Sequence, residues 1–399
     1  MDRTLFIILA GGEGTRLRPL TEQCPKPLVR FGPSARIMDF TLYNCLVSRS
    51  PEVVVLTQYL GGMIERYLEQ QWVPAFAGQG LKLSFLSGSR SPQGRFLGTA
   101  DAVYQALLAR TDAPDRVVVL AADHIYRMDY RSLLVWHQTH GAGATVAVQE
   151  CNHFQAHRFG IVETRPDGRL TNFWEKPRSL HQLPDLGQTP LASMGFYVFS
   201  RPTLLRYLQQ NQDQPELDFG HHVLPRMVKD QEAWAFRFRN PDGSPRYWRD
   251  VGDLHSYWQA QMELLDGSAE ELYEAPVLPG IRPPLSPAHR VSQCLGVKQW
   301  LYNSLISESA EIGNALIEDS VIGPEAMIED GARIKRSMVL DGAVVRKGVE
   351  LDSALIAPGF QIQAAKVPAP PLSSPLPGKP SFPQRPASSP PAFAAPDWS

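Results

Sequence analysis

The chain has 399 residues, 43% of them hydrophobic and 20% charged, with a net charge of -2. That size and apolar content suit a soluble globular protein with more than one domain. The near-neutral balance, with no lysine- or arginine-rich run and no apolar stretch long enough to span a bilayer, argues against nucleic acid or a membrane as partner. The four cysteines, Cys24, Cys45, Cys151 and Cys294, are scattered without metal-ligand spacing. They read as free thiols in a reducing cytoplasm. The chain runs almost at once into an apolar strand, so no secretory signal is expected.

That first strand, Leu5-Phe-Ile-Ile-Leu9, leads into Ala10-Gly-Gly-Glu-Gly-Thr-Arg16. A short apolar run of this kind predicts a fully buried strand of a parallel sheet. Gly11, Gly12 and Gly14 allow a tight turn whose N–H groups can approach an anion, with Thr15 in the same turn. Arg16 adds a planar cationic fork for phosphate oxygens. Lys26, between Pro25 and Pro27, puts a second cation on a stiff loop. The segment is neither a dinucleotide fingerprint, because Leu17 stands where a third glycine is needed, nor a Walker loop, because no Gly-Lys-Ser/Thr follows. It predicts a triphosphate cradle.

Arg36 to Leu46 has helical spacing, Val53–Thr57 predicts a buried strand, 62–72 a helix and 81–86 a strand. Gly98-Thr-Ala-Asp-Ala-Val103 opens another helix, and Val117-Val-Val-Leu-Ala121 is a strand ending near Asp123. Alternation of buried strands with helices predicts an α/β fold with a doubly wound, mostly parallel, Rossmann-like sheet, whose ligands bind beyond the carboxyl ends of the strands. From Ala144 onward strands predominate, at 145–149, 159–163, 170–174 and 193–199, and an amphipathic helix over 253–265 closes a domain of residues 1–266. Residues 267–300 read as a linker, proline-rich from Ala275 to Pro287. Beyond it Ile322, Ile328 and Ile334 recur every six residues, as do Ile306 and Ile312, with slips to five such as Ile312 to Ile317. This period predicts a short left-handed parallel β-helix over 301–360. The eleven prolines from Pro368 onward predict a disordered tail over 361–399.

Asp123 follows a strand at the ligand edge, where a carboxylate suits Mg²⁺, a hard cation that takes oxygen donors. Asp250, in Tyr247-Trp-Arg-Asp-Val-Gly252, is a second carboxylate in an aromatic segment, and two converging carboxylates would hold an ion that bridges phosphates. Spacing alone would favour a helix cap or an ion-pair partner for either. Glu175-Lys-Pro177 ends a strand; its glutamate could accept from sugar hydroxyls while its lysine faces a phosphate. Ser193 and Asp218 are further candidates for the same site.

Taken in order, Leu9–Leu17, Lys26-Pro27, Arg36-Ile-Met-Asp-Phe40, Gly98–Ala102, Asp123-His-Ile-Tyr126, Glu175-Lys-Pro177, Ser193-Met-Gly195, Asp218-Phe-Gly220 and Tyr247–Gly252 resemble the sugar-1-phosphate nucleotidyltransferases. Within them the bacterial glucose-1-phosphate adenylyltransferases are the nearer likeness. The resemblance runs from about Thr4 to Pro358 and implies ADP-glucose synthesis from ATP and glucose 1-phosphate for glycogen or α-glucan formation. It implies Arg16 and Lys26 on the ATP phosphates, Mg²⁺ on Asp123 and Asp250, and Gln58, Gly98 and Thr99 on the nucleotide. Gly160, Glu175, Lys176, Ser193 and Asp218 would line the glucose-1-phosphate site, with Leu97 in the place of a family tyrosine. The likeness also implies a cytoplasmic homotetramer. Cys24-Pro25 and Gly32-Pro-Ser-Ala35 depart from the family pattern and argue against allosteric control of its usual kind. Transfer from dTTP or GTP, or a non-catalytic regulatory subunit, are the alternatives.

Overall fold

A computed structural model of the chain describes residues 3–178, 189–286, 290–294, 300–363 and 366–367. The expected tail beyond 367 lies outside the described residues. Nine strands form the first sheet: β1 Thr4–Ala10, β2 Glu52–Thr57, β3 Lys82–Ser87, β4 Arg116–Ala121, β5 Ala144–Glu150, β6 Gly160–Thr164, β7 Leu170–Glu175, β8 Leu191–Ser200 and β9 Ala233–Arg237. Their order is β7-β6-β8-β4-β1-β2-β3, with β5 paired to β8 and β9.

The sheet has two characters. β3, β2, β1 and β4 run parallel, with Phe6 opposite both Val53 and Val118. Helices cover both faces of this half, so its strands are continuous aliphatic runs: Phe6, Ile7, Ile8, Val53, Val55 and Val117 to Leu120 are all fully buried. Each such side chain contributes about 1.5–3 kcal/mol on burial. From β4 outward the pairing turns mostly antiparallel, β8 against β4, β5 and β6, and β7 against β6, with β9 parallel to β5. A bulge between Ser193 and Tyr197 breaks the register of β8 where it passes the ligand edge.

The helix Leu254–Asp266 begins at a capping box in which Asp253 accepts from the Ser256 N–H at 2.8 Å. Residues 275–285 are not a free linker: Ala275, Leu278 and Ile281 pack on the main core, and Leu285 is buried.

The second unit is a three-sided parallel β-helix. One side stacks Trp300–Ile306, Leu316–Glu318, Arg333–Lys335, Glu350–Asp352 and Lys366–Val367, so pairing continues past residue 360, where the tail was expected to begin. The reason is that the aliphatic column also continues, Val345 facing Ile362. Ile317, Ile334 and Leu351 fill successive layers of one inner corner. Ser304, Ser320 and Ser337 form a buried ladder, each hydroxyl accepting an N–H from the next coil at 3.0–3.2 Å. The two units share a core in which Leu305, Val321 and Met338 meet Phe31, Tyr257 and Leu264. The Arg30 guanidinium grips Asp341 of the β-helix at 2.6–3.2 Å.

Candidate active site

β1 delivers the glycine turn to the carboxyl edge of the parallel half. Gly14 has φ 64° and precedes a single 3₁₀ turn, Thr15–Leu17. A Cβ there would stand 2.9 Å from the Lys26 Cβ, so both backbone conformation and space require glycine. Thr21 fastens the turn by donating its hydroxyl to the Gly14 carbonyl at 2.8 Å.

Lys26 is 7% exposed, and its ammonium reaches Asp123 Oδ2 at 2.8 Å and Asp250 Oδ1 at 3.4 Å. These acids lie far apart in sequence, and one ladder joins them. Asp123 follows β4; the short strands His124–Tyr126 and Trp248–Asp250 then pair antiparallel, with Asp250 opposite His124. Burial alone would lower the Lys26 pKa, but the charges of Asp123 and Asp250 outweigh it and raise it. Burial would likewise raise the Asp123 carboxyl, yet Lys26 and His124 hold it below the usual carboxylate range.

Ligand atoms of Asp123, His124 and Asp250 lie within 4.8 Å of one another, a set able to gather round one cation. The two carboxylates are hard oxygen donors and fit a divalent ion such as Mg²⁺ or Mn²⁺. His124 differs. Its Nδ1 accepts from the Trp248 indole N–H at 3.3 Å, and indole can only donate. With Nδ1 engaged as an acceptor, the ring turns Nε2 toward the two acids, 3.6 Å from Asp123 Oδ1 and 3.9 Å from Asp250 Oδ1.

Across the opening, Glu175 ends β7 and pairs with Lys176 at 3.0 Å. Glycines make room for it: a Cβ on Gly160 or Gly220 would come within 3.0 and 2.3 Å of its Oε2. Thr99 and Asp218 bind each other. The Thr99 hydroxyl donates to Asp218 Oδ2 at 2.7 Å, while Oδ1 accepts from the Gly220 and His221 N–H groups at 2.8 and 3.2 Å. Gln58 accepts from the Phe96 N–H at 2.6 Å. Gly98 has φ 109°, and a Cβ there would lie 2.3 Å from the Leu217 carbonyl.

One cavity of about 620 Å³ collects these groups. Gly11, Gly12, Gly14, Thr15, Arg16, Lys26, Gln58, Gly98, Thr99, Asp123, Gly160, Glu175, Lys176, Ser193, Asp218 and Asp250 all line it. Leu97, expected at the sugar site, is not among the lining residues. Its N–H is given to Asp101 and its carbonyl accepts from Leu217, both at 2.7 Å, while its neighbour Phe96 lines the cavity.

Comparison with known proteins accords with this arrangement. Residues 5–267 match the Nucleotidyl transferase family, and residues 286–367 match the GlmU-like C-terminal hexapeptide family. The chain belongs to the nucleotidyl transferase family. The hexapeptide match and the three-sided parallel coils are together consistent with the expected left-handed β-helix. Among curated relatives, a glucose-1-phosphate adenylyltransferase of Hydrogenovibrio crunogenus is 40% identical over 66% of this chain and 63% of its own length. One from Rhodopirellula baltica is 38% identical over 66% of this chain and 61% of its own. Glucose-1-phosphate adenylyltransferase 2 of Vibrio parahaemolyticus is 37% identical over 77% and 78%. The chain thus spans a little over three fifths of the first two relatives. No helix among the described residues is long and apolar enough to cross a membrane.

As a nucleotidyl transferase site, the cavity also holds residues that sequence reasoning missed. His124 is one of them: a lone histidine in a sequence is more often structural than functional, so its type alone gives no signal. Arg158 lines the cavity and pairs with Asp250 and Asp253 at 3.3 and 2.9 Å. Gly252 leaves space for three groups at once, since a Cβ would come within 2.9–3.1 Å of Asp250, Arg158 and Arg16. The Tyr-Trp-Arg-Asp-Val-Gly motif contains Gly252 and was the available signal for it; an isolated arginine before Phe159-Gly160 gives none.

Proposed function

We propose that the chain transfers an adenylyl group from ATP to glucose 1-phosphate, yielding ADP-glucose and pyrophosphate, with Mg²⁺ held by Asp123 and Asp250. The observation that carries this reading is the single cavity with a glycine–arginine cradle at one end, the Glu175–Lys176 pair at the other, and the Lys26–Asp123–Asp250 cluster between. The names of the relatives support the choice of nucleotide and sugar. In this reading the N–H groups of the glycine turn and Arg16 bind the triphosphate. Lys26 stays protonated, as its two acid partners dictate, and faces the same phosphates. Glu175 accepts from sugar hydroxyls and Lys176 neutralises the sugar's phosphate. Mg²⁺ supplies charge neutralisation on the phosphates.

A phosphate oxygen of the sugar attacks the α-phosphorus in line, and pyrophosphate leaves from the opposite side. The attacking group is already an anion, so no base and no covalent enzyme intermediate are needed. Catalysis is positioning and electrostatic stabilisation. The division into a catalytic unit of residues 1–266 and a β-helix that supports a cytoplasmic tetramer belongs to the same proposal; particle mass in solution tests the tetramer.

The decisive experiment measures pyrophosphate release from a panel of nucleotides and sugar phosphates, with and without Mg²⁺. ATP with glucose 1-phosphate is expected to lead. A preference for dTTP or GTP would reassign the substrate, and no turnover with any pair would reject the enzyme reading.

A further inference from the structure

Asp250 is held from two sides. Lys26 takes Oδ1 at 3.4 Å, and Arg158 takes Oδ2 at 3.3 Å. The other arm of the Arg158 fork reaches Asp253 at 2.9 Å, and Nη2 also lies 3.4 Å from the Ser256 hydroxyl. Asp253 and Ser256 form the capping box of the helix Leu254–Asp266. That helix is fixed to the β-helix, where Trp258 donates to the Arg336 carbonyl at 3.3 Å. Phe159, next in sequence to Arg158, packs against Trp248 with ring centroids 5.2 Å apart, two residues before Asp250. Arg158 is thus anchored to the strand that carries Asp250 and to the helix that follows it.

Both arms of the fork reach carboxylates, while the Nε–H is buried without a partner among the described residues. Arg16 contrasts with it: among the described residues no carboxylate lies within ion-pair distance of Arg16. Gly252 gives the fork its space, for a Cβ there would stand 3.0 Å from Arg158 Nη2 and 2.9 Å from Asp250 Oδ2.

We infer that Arg158 is a positioning residue: by occupying Asp250 Oδ2 and tying it to the Asp253 cap, it turns Oδ1 toward the divalent ion shared with Asp123. The inference rests on the proposed ion site and concerns a residue outside that proposal. Groups that orient metal-binding carboxylates typically cost about 10–100-fold in metal affinity or activity when removed.

Position and charge make opposite predictions. Arg158 is a cation beside the ion site, so its charge alone opposes a second cation, and removal on that ground would tighten binding. Orientation predicts weaker binding. The test is a Mn²⁺ titration of the full chain by electron paramagnetic resonance, without nucleotide or sugar. Wild type should bind Mn²⁺, and Asp123→Asn and Asp250→Asn should lose it. Arg158→Gln is expected to bind about tenfold more weakly. Arg158→Lys keeps the charge but loses the fork, and should resemble Arg158→Gln rather than wild type. Asp253→Asn keeps a good helix cap while removing one anchor. It should weaken binding several-fold, with no further loss when combined with Arg158→Gln, and it carries the test if Arg158→Gln does not fold. Unchanged or tighter binding in Arg158→Gln, or wild-type affinity in Arg158→Lys, overturns the inference and leaves the ion site standing. A wild-type chain that binds no Mn²⁺ removes the ion site and the inference together.

Discussion

The two halves of the sheet hold the two ends of the cavity by different means. In the parallel half, β1 and β4 stop in register and hand on a glycine turn and an aspartate, and a buried lysine, Lys26, pairs with Asp123 and Asp250. In the antiparallel half, Glu175 and Lys176 meet at a strand end, with the lysine side chain 61% exposed. Glu175 is placed by what its neighbours lack, the side chains of Gly160 and Gly220. The phosphate end is therefore held by charge around a buried lysine, where a lost partner costs most. The sugar end is held by shape and by a pair that water partly screens.

The largest effect should come from the charged end. Asp250→Asn is expected to lower turnover on the order of 10³-fold, because it halves the carboxylate pair while keeping shape and one oxygen. Pyrophosphate release with saturating substrates measures it, and circular dichroism checks that the fold survives. A folded variant within a few-fold of wild type would remove Asp250 from the mechanism.

A pH experiment tests the antiparallel half by itself. His137 is buried between Thr145 of β5 and Ser200 of β8, its Nδ1 2.9 Å from the Thr145 hydroxyl. Burial first, and the charge of Arg116 second, push its pKa down to about 4. The folded chain thus resists protonation that the unfolded chain accepts near 6.5. Its contribution is fully present above about pH 6.5 and is lost as pH falls toward 4, amounting to at most about 3 kcal/mol. Melting curves from pH 7 to 4 should lose stability more steeply in wild type than in His137→Gln. Parallel curves for the two proteins would show that His137 carries no such linkage.

At the sugar end the effects should be smaller and confined to one substrate. Glu175→Gln weakens hydrogen bonds made by a charged acceptor, worth about 1.5–3 kcal/mol, so the KM for the sugar phosphate should rise roughly 10–100-fold. The KM for nucleotide should stay within twofold. Gly220→Ala should copy this pattern, because its Cβ would displace the same carboxylate. Equal changes in both KM values would mean that the two ends do not work separately.

The same contrast explains what the sequence disclosed. Gly11 to Arg16 is one continuous segment after an aliphatic strand, and local periodicity and turn chemistry suffice to read it. The six-residue spacing of Ile322, Ile328 and Ile334 likewise encodes the β-helix directly, and its slips to five appear as coils of sixteen or seventeen residues. Asp250 could be nominated but not placed, since its meeting with Asp123 depends on a ladder between residues far apart. Arg158 was illegible, because its partners are set by a helix cap and an aromatic contact that no spacing reveals. The mutual bond of Thr99 and Asp218 was illegible for the same reason, each having been expected to face a ligand of its own.

The smallest expected effect is also the sharpest check on register. The resemblance puts Leu97 at the sugar; in the folded chain its backbone bonds to Asp101 and Leu217, and Phe96 is the neighbour that lines the cavity. Leu97→Ala should leave both KM values within about twofold, in line with substitutions that touch no ligand. Phe96 is 7% exposed and packs in the core cluster of β1 and β2. Phe96→Ala opens the cavity wall and should cost about 3–5 kcal/mol of stability, together with a several-fold rise in KM. If Leu97→Ala raises the sugar-phosphate KM tenfold while Phe96→Leu does nothing, the segment carries the opposite register in the working protein, and the shape-based account of that end of the cavity fails with it.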